Sequence, residues 1–283
     1  MLRIALQSKG RLSEQSLSLL DEAGIRLNRS KRTLLVACSG FPVEALLLRD
    51  DDIPLSVAGG VADAGIVGEN EYVEKGSPAR LVKRLGFSRC RLSLAIPRDE
   101  AYKDVSWFEG KTIATSYPNI LTAYLKERGV KASLHVISGS VEIAPGIGLA
   151  DAIFDIVSSG STLSVNHLKE VESVMESEAL LIANPSLDSN KSEALDGLLF
   201  RLEAVLTASG KKYVLLNAPK ERLNDIAALL PGMKSPTVTL LAGEGWVSVQ
   251  SVIAEDRFWE IIGKLKALGA EGIIIIPIEK MIL

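Results

Sequence analysis

The chain has 283 residues, 47% of them hydrophobic and 24% charged, and a formal net charge of −3. That length allows two or three domains with a sizeable core, and the composition is ordinary for a soluble globular protein. A slightly acidic chain exerts no global pull on nucleic acid, so any anionic substrate must be held by local basic groups.

The N-terminus, MLRIALQSKGRLSEQ, carries too few apolar residues before Lys9 and Arg11 for a signal peptide, and no apolar run approaches membrane-spanning length. A cytoplasmic enzyme with no nucleic-acid and no membrane partner is the expectation. Cys38 and Cys90 lie far apart and form no metal pattern, and His135 and His167 are too few for a histidine-rich zinc site. Leu2 to Leu6 reads as a first strand. After it come Gln7-Ser8-Lys9-Gly10-Arg11 and a helix with Ser13 as cap, Leu17 and Leu20 on one face and Gly24 just past its end. The basic turn is either a solvated loop or a place to capture phosphate.

Thr33 to Ala37 and Val43 to Leu48 read as strands around Ser39-Gly40-Phe41-Pro42. Arg49 follows; it either balances Asp50-Asp51-Asp52 or reaches a polyphosphate bidentately. In Gly59 to Gly68, Asp63 leads a short buried strand, and Gly65 and Gly68 allow close backbone approach. Glu69 opens a short helix. Arg84 to Ile96 crosses to a second lobe, bringing Arg84, Arg89 and Arg91. That lobe continues with a strand at Thr112 to Thr115, a helix at Ile120 to Arg128 ended by Gly129, and a strand at Ser133 to Ile137. Tyr117 sits at a strand's carboxyl end, where it either stacks on a base or packs beneath the turn.

The stretch Glu142 to Leu163, EIAPGIGLADAIFDIVSSGSTL, carries the most chemistry. Ala152 to Val157 is an apolar run broken only by Asp155, which fits a buried strand. Ser158-Ser159-Gly160-Ser161-Thr162 comes next, and Leu163 to Leu168 can open a short helix with Ser161 or Thr162 as N-cap. Amides and hydroxyls converging after a strand make an anion cradle, and a carboxylate beside it can accept hydrogen bonds from sugar hydroxyls. A phosphorylated sugar fits both. The order Glu142, Gly148, Ala150, Ile153, Asp155, Ile156, Ser159-Gly160, Thr162-Leu163 resembles the signature of the ATP phosphoribosyltransferase family, which opens histidine biosynthesis.

Ala179 to Ala183 reads as a strand returning to the first lobe, and Ser189 to Ala208 as an amphipathic helix with Asn190 and Glu193 as a capping box. Beyond Ser209-Gly210-Lys211-Lys212 the pattern is strand Tyr213–Leu216, helix Glu221–Leu230, strands Thr237–Leu241 and Trp246–Ile253, helix Phe258–Leu268 and a fully buried strand Gly272–Ile278. This βαββαβ order is ferredoxin-like.

The resemblance covers essentially the whole chain and implies an α/β fold. Two periplasmic-binding-protein-like (type II) lobes, 1–90 with 178–208 and 91–177, would form the cleft, and an ACT-like regulatory domain would occupy 211–283. It implies transfer of phosphoribosyl from phosphoribosyl pyrophosphate (PRPP) to N1 of ATP with Mg²⁺, inhibition by L-histidine, and a homo-oligomer (dimer and hexamer). Asp155, Glu142, Lys9 and Arg11 would serve catalysis, and Asp155 with Ser158, Ser159, Gly160, Ser161 and Thr162 would bind PRPP. Lys9, Arg11, Arg49, Asp63 and Tyr117 would serve ATP or polyphosphate. Asn217, Met233, Thr237 and Gly272 would bind histidine, Asn217 without the charge of a carboxylate. The chemistry needs no activated side-chain nucleophile, because adenine N1 is one already. The alternative is a bilobal module that binds a small anion or amino acid without catalysis.

Overall fold

A computed structural model describes residues 1–28, 33–230, 232 and 234–283. The chain forms two compact units, Met1–Asp196 and Gly197–Leu283. The first lobe of the first unit begins with β1 (Leu2–Gln7), α1 (Arg11–Glu22), β2 (Arg26–Leu27), β3 (Leu35–Ser39) and β4 (Val43–Leu48). It continues with α2 (Ile53–Ala58), β5 (Ala64–Gly68), α3 (Glu69–Glu74) and β6 (Arg80–Arg84). The second lobe holds β7 (Cys90–Pro97), β8 (Thr112–Thr115), α4 (Pro118–Arg128), β9 (Ser133–Val136), β10 (Ala152–Val157), α5 (Ser161–Val165) and β11 (Leu168–Ser177). Then β12 (Ala179–Ala183) returns to the first lobe and α6 (Ser189–Ala208) leaves it.

Each lobe is one sheet, ordered β2-β3-β4-β1-β5-β12-β6 and β11-β7-β10-β8-β9. Three strands run parallel in each, β4-β1-β5 and β9-β8-β10, flanked by an antiparallel strand that has crossed from the other lobe. The crossings run side by side: the Leu85 amide donates to the Ala179 carbonyl at 2.9 Å and the Ala179 amide to the Phe87 carbonyl at 2.9 Å. Ile53, Val57, Val67 and Ile182 form part of the first lobe's core, and Leu92, Leu94, Phe108, Ile113 and Phe154 part of the second's. Gly65 has a packing reason: an added Cβ would meet Ile53 Cγ2 at 2.8 Å and Val57 Cγ2 at 2.9 Å.

Several boundaries differ from the sequence expectations. Helix α1 starts at Arg11 behind Gly10, and Ser13 is buried inside its first turn, its amide donating to Gln7 Oε1 at 3.2 Å. Helix α5 starts at Ser161 behind Gly160, whose φ of +78° makes the turn, so neither Ser161 nor Thr162 is the cap. Asp188, not Asn190 with Glu193, caps α6 by accepting from the Lys191 amide at 2.8 Å. The ten-residue strand β11 was not anticipated; two bulges and alternating charge blur its period. The compact units divide between Asp196 and Gly197, inside α6, whereas the sequence places the break at Ser209–Lys212.

The second unit continues with β13 (Lys211–Pro219), α7 (Leu223–Leu229), β14 (Thr237–Leu240), β15 (Trp246–Ala254), α8 (Glu255–Ala267) and β16 (Glu271–Pro277). Its antiparallel sheet, ordered β14-β15-β13-β16, has the ferredoxin-like arrangement. Val214, Leu216, Val247 and Val249 pack against Ile226, Phe258, Ile261 and Leu265. The last strand is not fully buried: it lies at the sheet edge, with Ile274 53% and Ile276 45% exposed.

Candidate active site

Strand β10 positions the central carboxylate. Ala152, Ile153, Phe154 and Val157 are buried, while Asp155 stands opposite Ser93 of β7. Burial pushes the Asp155 carboxyl up to about 6; the Ile156 amide works against that rise and the Glu142 charge adds to it. Glu142, on a short turn at Val141–Ile143, and Asp155 line a cleft of about 330 Å³ together with Ser158 to Leu163.

The cleft's other wall is the turn Ser158 to Thr162. Ser159 Oγ lies 3.0 Å from Ser161 Oγ and accepts weakly from the Ser161 amide at 3.4 Å. Among the described residues, no partner is found for the amides of Ser159, Gly160, Thr162 and Leu163. The turn therefore offers several free N–H donors beside a buried acid. Ser158 is held from two sides: Arg11 Nη1 donates to its hydroxyl at 2.9 Å, and Arg91 Nη1 to its carbonyl at 3.3 Å. Arg11 Nη2 also reaches the Arg89 carbonyl at 3.2 Å, so the first lobe grips the second at this turn.

The structure thus brings together Arg11, Glu142, Asp155 and Ser158 to Thr162. Lys9 is exposed two residues before Arg11 and has no polar partner among the described residues. Gln7 braces this basic turn by also donating Nε2 to Asp50 Oδ2 at 3.1 Å. Arg49 is exposed and pairs with Asp51 at 3.1 Å, so here it balances its acidic neighbours.

Two expected substrate contacts lie elsewhere. Asp63 precedes β5 and stands at the amino ends of the parallel strands, whereas the basic turn and Gly68 lie at their carboxyl ends. Its carboxylate accepts from the Arg3 amide at 2.7 Å and from Lys191 Nζ at 2.8 Å, which ties strand to helix. Tyr117 is 5% exposed and cannot offer a face to a base. Its hydroxyl accepts from Asn70 Nδ2 at 3.1 Å and is hydrogen-bonded to Glu71. Glu71 is itself buried, which pushes its carboxyl up to about 7; the nearby charges of Asp50 and Asp51 add to the rise.

Sequence reasoning missed Glu74, whose carboxylate accepts from the Asn119 and Ile120 amides at 2.9 and 3.0 Å and caps α4. Of the crossing's arginines, Arg91 reaches the turn, donating to the Ser158 carbonyl at 3.3 Å. In the second unit, Asn217 and Gly272 meet, an added Cβ on Gly272 coming 3.2 Å from Asn217 Nδ2. Thr237 lies two strands from Asn217, opposite Gln250. Met233 lies outside the described residues.

The profile of the family described as ATP phosphoribosyltransferase matches residues 49–204, and that of its C-terminal domain matches residues 208–280. An ATP phosphoribosyltransferase of Parabacteroides distasonis is 73% identical over 282 residues, with all of both chains covered. The chain belongs to the ATP phosphoribosyltransferase family. It is an enzyme of the pentosyltransferase class, acting in histidine biosynthesis. An ATP phosphoribosyltransferase of Bacteroides fragilis is 68% identical over 283 residues, again covering both chains completely. Among solved structures, the HisG:HisZ complex from Thermotoga maritima is similar with 29% identity and a TM-score of 0.64, covering 73% of this chain and 99% of that one. A putative periplasmic sulfonate-binding protein of Methylobacillus flagellatus shares the bilobal fold at a TM-score of 0.50 and 18% identity, covering 71% of this chain and 66% of that one.

Proposed function

We propose that the turn Ser158 to Thr162 seats the 5′-phosphate of PRPP and that Asp155 accepts hydrogen bonds from its ribose hydroxyls. The observation that carries this reading is the group of unpartnered amides next to a buried carboxylate in one cleft. Adenine N1 of ATP then attacks C1 of the ribose, the N1–C1 bond forms, and the C1–O bond breaks with release of pyrophosphate. Catalysis is a matter of alignment and charge, so fixed donors do the work. Arg11 and Lys9 supply positive charge for pyrophosphate or triphosphate, and Glu142 faces the cationic character that develops at the ribose. Mg²⁺ would be carried mainly by the pyrophosphate oxygens of the substrate, with few protein ligands, and would offset their charge as the C1–O bond breaks.

Ribose 5-phosphate tests the seat. It is expected to compete with PRPP and not with ATP in an assay that follows the absorbance rise of the N1-substituted adenine. If it competes with neither substrate, the turn is not the phosphate site. L-Histidine is read as an inhibitor acting through the second unit, near Asn217 and Gly272. Gly272→Ala puts a side chain at φ +59° and 3.2 Å from Asn217 Nδ2. It is expected to weaken inhibition by histidine and leave the uninhibited rate unchanged.

A further inference from the structure

Arg91 and Glu170 make an ion pair that the ladder geometry alone does not call for. In the β7–β11 pairing the residue directly opposite Arg91 is Glu176, and Glu170 lies opposite Ala95. A plain cross-strand ion pair would join Arg91 to Glu176. Instead the Arg91 side chain runs lengthwise along β7, past Ser93, and meets Glu170 by two parallel bonds, Nε to Oε1 at 2.5 Å and Nη2 to Oε2 at 2.5 Å. Ser93, which is 1% exposed and stands opposite Asp155, donates its hydroxyl to Glu170 Oε1 at 2.7 Å. The guanidinium beside Glu170 holds that carboxyl below the usual range, and Ser93 adds to the effect.

This arrangement leaves one guanidinium edge, Nη1, free to point elsewhere, and it points to the Ser158 carbonyl. A two-point clamp fixes a planar guanidinium in orientation as well as in place. The phosphate turn begins at that carbonyl, so its starting direction depends on where Arg91 is held. From the other side the Ser158 hydroxyl takes Arg11 of the first lobe. The turn is thus set between an arginine of the first lobe and one anchored within its own sheet.

We propose that Glu170 is a positioning residue for PRPP, acting through Arg91 to set the shape of the Ser158–Thr162 turn. The proposal rests on the reading of that turn as the phosphate seat. Neither residue needs to touch substrate. Loss of the clamp leaves the amides present but misaimed, which weakens the sugar phosphate and spares ATP.

Glu170→Gln keeps the shape of the side chain and removes its charge. Expected are a rise of about tenfold in the KM for PRPP, a matching rise in the inhibition constant of ribose 5-phosphate, and a KM for ATP within about twofold of wild type. Arg91→Lys, which cannot clamp at two points, is expected to behave alike, and the double variant to be no worse than the worse single one. Ser93→Ala serves as the milder variant, with a shift of about twofold in the same direction. Equal rises in both KM values together with a lowered Tm would make the pair merely structural and overturn the proposal. So would an unchanged KM for PRPP in Glu170→Gln while Gly160→Val raises it, since the turn would then matter without Glu170. If Gly160→Val is silent as well, the phosphate seat itself falls, and the role of Glu170 with it.

Discussion

The turns after β5 and β10 hold the same place in the two lobes, yet only one is left open. β5 lies beside and parallel to β1, and β10 beside and parallel to β8; each has an antiparallel crossing strand on its other flank and a helix after it. Both helix starts present backbone donors. In the first lobe those donors are consumed: the Glu69 amide donates to the Glu178 carbonyl at 2.9 Å and the Asn70 amide to Ser177 Oγ at 3.1 Å. The Glu69 carboxylate also sits there, held by both Arg84 nitrogens. In the second lobe three residues, Ser158-Ser159-Gly160, stand between β10 and α5, whereas Gly68 leads straight from β5 into α3, and the amides there stay free. One topology thus yields a braced crossing in one lobe and, in the other, an open turn of the kind the proposed phosphate seat needs, and the two differ by three residues between strand and helix.

The open turn should be the more sensitive of the two. Asp155→Ala is expected to lower kcat/KM for PRPP by about 10²- to 10⁴-fold, the loss of the two proposed charge-assisted hydrogen bonds of about 1.5–3 kcal/mol each. The wild-type value should also fall as pH drops through about 6, where Asp155 takes up its proton. Asp155→Asn should abolish that limb. Wild-type-like steady-state kinetics in Asp155→Ala would remove this acid from the site.

Gly160→Val is the next largest expected effect. An added Cβ meets nothing within 4 Å, so the penalty comes from φ +78° alone. A β-branched residue resists that conformation by about 1–3 kcal/mol, and the turn shifts to relieve it. The KM for PRPP should rise about tenfold, with circular dichroism and the KM for ATP unchanged.

The open turn proposed as the phosphate seat could be read from the sequence because its parts are local. Asp155, the small residues and the following helix occupy one continuous stretch. Pairings between distant residues were not legible. Arg91 and Glu170 are 79 positions apart, and only the bulged register of β11 brings them together. Asp63 is expected among the ATP or polyphosphate contacts, but strand direction puts it at the far end of the sheet, where Lys191 neutralises it. Tyr117 was placed correctly at a strand's end, and burial against Asn70 and Glu71 decided its use. The edge strand β16 reads as core because Ile273 to Ile276 are uniformly apolar, while its exposure depends on having a neighbour on one side only.

Behind the occupied turn, Glu71 makes the first lobe sensitive to pH. Its folded carboxyl titrates at about 7 against an ordinary 4.5, so the folded chain holds the proton more tightly than the unfolded one. Stability therefore falls as pH rises from 4.5 to 7, and above that window the ionised, buried carboxylate costs about 1–3 kcal/mol. Glu71→Gln should lose this dependence, matching wild type near pH 4.5 and exceeding it at pH 8 in denaturant melts. Parallel melting curves for the two proteins at both pH values would show that Glu71 carries no such cost.

Arg84→Gln probes the occupied turn itself and should have the smallest effect. Arg84 is half exposed and its bonds to Glu69 and Glu178 are screened by water, so stability should change by less than about 1 kcal/mol. The crossing at Glu178 would loosen, and a hinge acts on both substrates at once. Both KM values should therefore move together, by no more than about threefold, in contrast to the PRPP-selective change expected for Gly160→Val. A selective rise in the KM for PRPP would mean that the first lobe's turn takes part in seating the sugar phosphate, and the division of labour between the two turns would not hold.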